Sequence, residues 1–240
     1  MKDISWLSRT TLLVGNERLE QLTQSHVMVV GMGGVGSFAA EFICRSGIGE
    51  MTIIDGDTVD PTNRNRQLPA LATNHGISKA VIMAERCRSI NPELTRLVIK
   101  EFINPERVEI ILFSKPDYVI DAIDSVTPKL TFIQEAYRQK IKFVSSMGAG
   151  GKLDPTQIEI ADISKSHHCP FAQQVRKMLK TKGIYKGFPV VFSPEVPPKE
   201  SLILTDGSNF KKSAYGTISY MPAAFGGMVA SVAIRALMTL

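Results

Sequence analysis

The chain has 240 residues, 44% of them hydrophobic and 21% charged, and carries a formal net charge of +5. That length and apolar content support one sizeable α/β core and exclude a disordered, collagen-like or coiled-coil chain. The excess of cations permits an anionic partner without specifying one.

Residues 1–11 mix Lys2, Asp3 and Arg9 with few apolar residues and lack the continuous apolar stretch of a secretory signal, so a cytoplasmic location is expected. Leu19 and Leu22 have helical spacing within 16–24, and 26–30 is a short β-rich run that stops at a glycine cluster. A helix over 35–45 ends at Gly47 and Gly49, and a second strand over 51–54 completes a βαβ unit. Asp60-Pro61 reads as an N-cap followed by proline at the first helical position. Helices over 77–88, 105–112 and 128–138 then alternate with strands over 97–102, 117–121 and 142–146. The expected fold is α/β and Rossmann-like, a mostly parallel sheet covered by helices.

After Gly148-Ala149-Gly150-Gly151 the pattern changes. Residues 157–163 alternate polar and apolar like an antiparallel strand, 171–182 are helical, and 188–220, rich in Pro, Ser, Gly and Lys, read largely as loop. The apolar run 222–240 is interrupted by Arg235. A membrane span needs about 20 predominantly apolar residues, so a buried or subunit-interface helix is the commoner explanation and no stable membrane insertion is expected. Cys44, Cys87 and Cys169 lie far apart without Cys-x-x-Cys spacing, and structural zinc is not expected. Cys44 and Cys87 read as buried small hydrophobes. His167-His168-Cys169 reads as a loop or helix cap, and Cys169 is not assigned as a nucleophile.

Gly31-Met32-Gly33-Gly34-Val35-Gly36 follows a strand and opens a helix, so Gly31, Gly33, Gly34 and Gly36 let the backbone approach a phosphate at the positive end of the helix dipole. Asp55 ends the second strand, where a carboxylate accepts hydrogen bonds from ribose hydroxyls. To this point a nicotinamide dehydrogenase fits equally well. The continuation 55–67 followed by Lys79 separates the two, because Arg66, Lys79 and Asp57 supply cations and a second carboxylate that a triphosphate needs and a dehydrogenase does not. Arg66 and Lys79 could neutralise transferring phosphates, while Asp57 and Asp124 are hard oxygen ligands suited to Mg²⁺. Asp124, followed by Ser125, stands just beyond a strand's C-terminal end, where open α/β sheets bind ligands.

The glycine loop, Asp55-x-Asp57, Asn63-x-x-Arg66-Gln67, Lys79 and Asp124, in that order, resemble the ubiquitin-activating-enzyme-like adenylating superfamily of the ThiF/MoeB/HesA type. The resemblance implies ATP and Mg²⁺ as cofactors. It places Gly34 against the nucleotide, Asp55 at the ribose, Asn63, Arg66 and Lys79 at the phosphates, and Asp124 at Mg²⁺, with Ser125 beside it. Arg9 matches an arginine that the superfamily contributes to the partner subunit's ATP site, which implies a homodimer with Arg9, Arg66, Lys79 and Asp124 as the catalytic set.

Residues 119–125, 148–152, 154–158 and 191–195 narrow the resemblance to the tRNA threonylcarbamoyladenosine dehydratases. This implies ATP-dependent ring closure of the modified adenosine in tRNA, with release of AMP and pyrophosphate. His167-His168-Cys169-Pro170-Phe171 departs from that branch, where an Asp-Pro-Leu-like sequence is expected. Arg176, Lys177, Lys180, Lys182, Lys186, Lys211 and Lys212 suit either a solvated surface or a tRNA-binding face, and the resemblance favours tRNA. One adenylating domain is expected over 1–240, with a nucleotide-binding part over 1–150 and a substrate-side, C-terminally helical part over 151–240. The alternatives are adenylation of a ubiquitin-like or sulfur-carrier protein, an NAD-dependent oxidoreductase and a non-catalytic tRNA-binding module. No sulfur-carrier or redox partner is identifiable from these residues.

Overall fold

A computed structural model describes residues 3–205 and 213–239. Lys211 and Lys212 of the expected cationic face lie outside the described residues, as do Lys2 and Leu240.

Two short helices, α1 (Ser8–Val14) and α2 (Asn16–Gln24), lead into β1 (His26–Val30). The chain continues through α3 (Gly34–Arg45), β2 (Glu50–Ile54), α4 (Lys79–Ile90), β3 (Thr95–Ile99), α5 (Pro105–Leu112), β4 (Tyr118–Asp121), α6 (Val126–Arg138) and β5 (Phe143–Ser146). The remainder is β6 (Glu159–Asp162), α7 (Pro170–Lys180), β7 (Pro189–Phe192), the ribbon β8 (Leu202–Leu204) and β9 (Ser213–Tyr215), and α8 (Tyr220–Leu237). The seven-stranded sheet runs β3-β2-β1-β4-β5-β7-β6. Its strands are parallel except β6, which pairs antiparallel with β7. The expected α/β, Rossmann-like class is the one observed.

Strand composition follows from burial on both faces. Val27 and Val29 of β1 join one core beneath α3, α4 and α8, while Met28 and Val30 join the other beneath α5, α6 and α7. The period-two alternation divides one apolar run between two cores, which is why it shows no polar face.

Among the bounds that differ from expectation, three are set by long-range bonds. α4 begins at Lys79 and not at 77, because the Ile77 carbonyl accepts from Val59 N–H (2.9 Å) and Ser78 bridges Thr58. β3 occupies 95–99 and not 97–102, since its register is set by pairing from Glu50–Thr95 to Ile54–Ile99. β7 lies inside the expected loop, where it pairs with both β5 and β6. Helix α1, for which the sequence carried no signal, buries none of its own residues.

Among the described residues α8 is long and apolar enough to cross a bilayer by length and composition alone. Its Met221, Phe225, Val229, Ala233 and Leu237 instead form a buried i, i+4 stripe within the first core. Close approach to α3 depends on Gly226, where a Cβ would stand 2.7 Å from the Val35 carbonyl oxygen and 2.8 Å from Phe38 Cβ. At Gly227 the nearest atom to an added Cβ is Phe42 Cε2, at 3.6 Å.

These adjacent glycines should respond oppositely to alanine. Gly227→Ala should gain about 0.5–1 kcal/mol from helix propensity. Gly226→Ala should be net destabilising, because overpacking costs about 1–3 kcal/mol. Denaturant unfolding of the two variants measures the difference, and equal shifts would refute the packing account.

Candidate active site

The C-terminal ends of the parallel strands open into a cleft of about 780 Å³, a size suited to a nucleotide with part of a second substrate. Gly31, Gly33 and Gly34 line it. Gly31 has φ +92°, and a Cβ there would meet the Ala122 carbonyl oxygen at 2.9 Å. A Cβ on Gly36 would stand 1.7 Å from the Gly31 carbonyl oxygen. Gly36, expected at the nucleotide with the other loop glycines, therefore lies beneath the loop, where it lets α3 seat against β1.

Asp55 at the end of β2 clasps the same loop. Its carboxylate accepts from Met32 N–H (2.5 Å) and Asp57 N–H (2.7 Å). Burial raises its pKa above the usual carboxylate value, against the pull of those two amides. Asp57 is tied to Lys79, with Oδ2 2.5 Å from Nζ. Lys79 is buried and Asp57 about half exposed, so the pair stands at the cleft rim with its ammonium inward.

A short 3₁₀ turn, Pro61–Asn63, carries the next group. Asp60 caps it by accepting from Thr62 N–H (2.8 Å), and Asn63 Oδ1 accepts from Asp60 N–H (3.1 Å). With Oδ1 so occupied, Asn63 can meet an anion through its NH₂ group. Arg66 donates to the Thr62 carbonyl (3.0 Å) and Asn65 Oδ1 (2.9 Å), which fixes the guanidinium at the cleft wall. Burial lowers its pKa, with Asp124 opposing that shift. Gln67 Oε1 is buried without a partner beside Gly33, an acceptor that neither loop nor turn satisfies.

Asp124 and Ser125 lie at the entry to α6, on the cleft wall. Beneath them Lys129, with no solvent exposure, donates to Asp121 Oδ2 (2.7 Å), Ser145 Oγ (3.0 Å) and the Ser146 carbonyl (3.0 Å). Burial lowers the pKa of Lys129, and the Asp121 carboxylate opposes this.

The far wall comes from residues 148–152, the start of α7 and the end of β9. Cys169 is 3% exposed there, at the N-cap of α7, with His168 at φ +52° before it. Asn65 Nδ2 donates to the Thr217 carbonyl (2.9 Å), joining this wall to the Arg66 turn. Arg9 is exposed on α1 and does not line its own chain's cleft.

The cleft thus gathers Gly31, Gly33, Gly34, Asp55, Asp57, Asn63, Arg66, Lys79, Asp124 and Ser125, and leaves Gly36 and Arg9 outside. Cations beside a glycine loop and a helix N-terminus can bind a polyphosphate, and Asp124 can hold a hard cation against it. No role was expected for Gln67, Lys129 or Lys152, although Gln67 and Lys152 stand in the quoted motifs. Lysine within the apolar stripe of α6 was a visible signal for Lys129. For Lys152 the signal was its place at the end of the glycine-rich segment 148–152, which did not foretell its burial.

The model of the ThiF family matches residues 7–240. The tRNA threonylcarbamoyladenosine dehydratase of Bacillus subtilis is 47% identical over 79% of this chain and 75% of its own length. The Escherichia coli protein of the same name is 39% identical over 98% of this chain and 95% of its own. The crystal structure of that E. coli enzyme, TcdA, in complex with ATP superposes with a TM-score of 0.88 at 39% identity, covering 100% of this chain and 97% of the other. Matched along nearly its whole length in both sequence and fold, the chain belongs to the ThiF family.

Proposed function

We propose that this protein uses ATP to activate the carboxylate of a threonylcarbamoyl group on a tRNA adenosine and closes that group into a ring with loss of water. The observation that carries this is the cleft itself, a glycine loop and three phosphate-directed side chains facing a second, substrate-sized wall. Relatives along nearly the whole chain bear the name of that reaction.

A carboxylate oxygen attacks the ATP α-phosphorus, the bond to the bridging oxygen breaks, and pyrophosphate leaves with its electron pair. A nitrogen of the same modification then attacks the acyl carbon and loses its proton, and AMP departs carrying the former carboxylate oxygen. Holding both reactants in one cleft supplies the proximity that makes the second step effectively unimolecular. Arg66, Lys79 and Asn63 stabilise charge on the transferring phosphates. Lys79 exchanges Asp57 for a phosphate oxygen as ATP enters. Asp124 suits Mg²⁺, which takes one or two carboxylates and fills its remaining positions with phosphate oxygens and water. An ion held there would supply charge neutralisation on the triphosphate.

Two further surfaces support the assignment. Helix α7 buries Ala172, Val175 and Leu179 and exposes Lys177 and Lys180, with Lys182 and Lys186 following. This cationic face begins at the cleft wall and suits a tRNA backbone. Arg176 is withdrawn from it by bonds to the carbonyl and hydroxyl of Ser166. On α1, Leu12 and Leu13 are 88% and 85% exposed beside Arg9. A second copy covering that helix makes a homodimer in which Arg9 reaches the neighbouring ATP site. A cytoplasmic location, where ATP and tRNA meet, follows from the reaction.

Purified protein should release AMP and pyrophosphate from Mg-ATP only with tRNA carrying the threonylcarbamoyl group, and mass spectrometry should show the nucleoside losing one water. Unchanged nucleoside mass after full ATP turnover would sink the ring closure and leave adenylation standing.

Cys169→Ala should retain most of the turnover, since the ring closes directly from the acyl-adenylate. Loss of turnover with ATP affinity intact would identify Cys169 as a nucleophile.

Arg9→Ala should lower kcat by about 10²-fold, the scale for removing one transition-state donor. Mixing the Arg9→Ala and Asp124→Ala proteins should restore activity, because a shared site in the heterodimer keeps both residues. No recovery in verified heterodimers would place Arg9 in cis or outside catalysis.

A further inference from the structure

Three buried lysines surround the cleft, and two of them have carboxylate partners. Lys79 is 3% exposed and sits on Asp57, and Lys129 is 0% exposed and sits on Asp121. Lys152 is 2% exposed and lines the same cleft, yet takes part in no ion pair among the described residues.

The backbone around Lys152 is tightly held. Gly151 has φ +69°, and a Cβ there would meet Pro197 Cβ at 2.5 Å, so the turn that delivers Lys152 is pinned against 193–197. Lys152 Nζ donates to the carbonyls of Ser193 (3.2 Å) and Glu195. An ammonium has three N–H groups, and the third has no protein partner among the described residues. The nearby acid does not supply one. The Glu195 carboxylate accepts from the backbone N–H groups of Leu153 (3.0 Å) and Asp154 (3.1 Å) and from Ser193 Oγ (3.3 Å). A buried cation without a counter-ion is costly unless an anion arrives to share its desolvated site. Burial lowers the pKa of Lys152, while Cys169 and Glu195 oppose the shift.

We infer that Lys152 recognises the free carboxylate of the acid being activated, holding one oxygen through its third N–H while the other oxygen attacks the α-phosphorus. This assignment rests on the adenylation chemistry proposed above and names the group that binds its second substrate. Bringing a carboxylate onto a triphosphate sets anion against anion, and Arg66 and Lys79 are directed at the phosphates. Lys152 supplies the charge that the carboxylate requires. A clamp on two carbonyls would need only two N–H donors and no charge, so charge and scaffold can be separated by substitution.

Lys152→Gln keeps two N–H donors for the carbonyls and removes the charge, Lys152→Met removes both, and Lys152→Arg restores a cation. The measurements are KM for tRNA carrying the threonylcarbamoyl group, the ATP Kd, the unfolding midpoint, and competition by free N6-threonylcarbamoyladenosine against its carboxamide. Wild type should prefer the acid to the amide by at least about tenfold, the scale of a charge-assisted hydrogen bond. Lys152→Gln should raise KM by about tenfold to a hundredfold, lose the acid preference, and keep its ATP affinity and midpoint. Lys152→Arg should recover part of the preference. An unchanged KM and acid preference in Lys152→Gln would overturn the inference. So would unfolding of both uncharged variants, or equal losses of ATP and tRNA affinity, each of which makes Lys152 scaffold. Wild-type protein that releases no pyrophosphate with modified tRNA would sink the proposed function and this inference together, whereas the other outcomes sink the inference alone.

Discussion

A lysine ammonium with no access to water must have its hydrogen bonds met by the protein, and Lys129 meets that demand by joining three elements. Asp121 ends β4, Ser145 and Ser146 end β5, and Lys129 itself stands on α6. The Asp121 carboxylate also accepts from Ser145 Oγ (2.6 Å) and Ile123 N–H (3.0 Å), which leaves no half-satisfied member in the network. Removing one partner of such a buried pair costs about 3–5 kcal/mol, so the positions of these strand ends are strongly coupled. Asp124 and Ser125 lie in the short connection between Asp121 and α6 and inherit their placement from it.

Around that anchor the cleft holds its charges in two conditions. Lys79 has an internal partner that a phosphate can replace, which limits the desolvation cost of the empty site. Lys152 has only backbone carbonyls as hydrogen-bond partners among the described residues, with the Glu195 carboxylate close by but committed to the amides of Leu153 and Asp154. The arrangement suits a reaction with two anionic reactants, one stripping a cation from its resting partner and the other meeting a cation already waiting. Positioning of this kind stabilises developing charge without reorganisation at the moment of reaction.

The chain after β5 is built onto the sheet formed by the chain before it and does not hang from it. β7 extends the sheet beyond β5, and β6 returns antiparallel to close that edge. The Gly151 amide donates to the Gly216 carbonyl (2.8 Å), and Asn65 reaches Thr217, so the ribbon end is tied to both walls. The wall at 148–152 therefore belongs to a frame continuous with the turn that carries Arg66.

Short-range patterns determined much of this by themselves. The apolar runs, helical spacings, Gly31–Gly36 and the proline caps at Asp60 and Asn104 act within one turn or strand, so α2, β1 and α5 were legible to the residue. That Asp55, Asp57, Asn63, Arg66, Lys79 and Asp124 share one cleft was legible as well, because their motif order places them on loops and helix starts that follow β1, β2 and β4. Tertiary structure decided what depends on distant partners. It placed β7 in a segment that reads locally as loop, ended β3 by its register with β2, and drew Gly36 beneath the loop it helps form. It also separated Lys79, Lys129 and Lys152, three residues of identical chemistry, into an ion pair at the cleft rim, a sealed anchor and a cation with no ion pair among the described residues. Burial and counter-ions made that distinction, and both are supplied by residues far away in the chain.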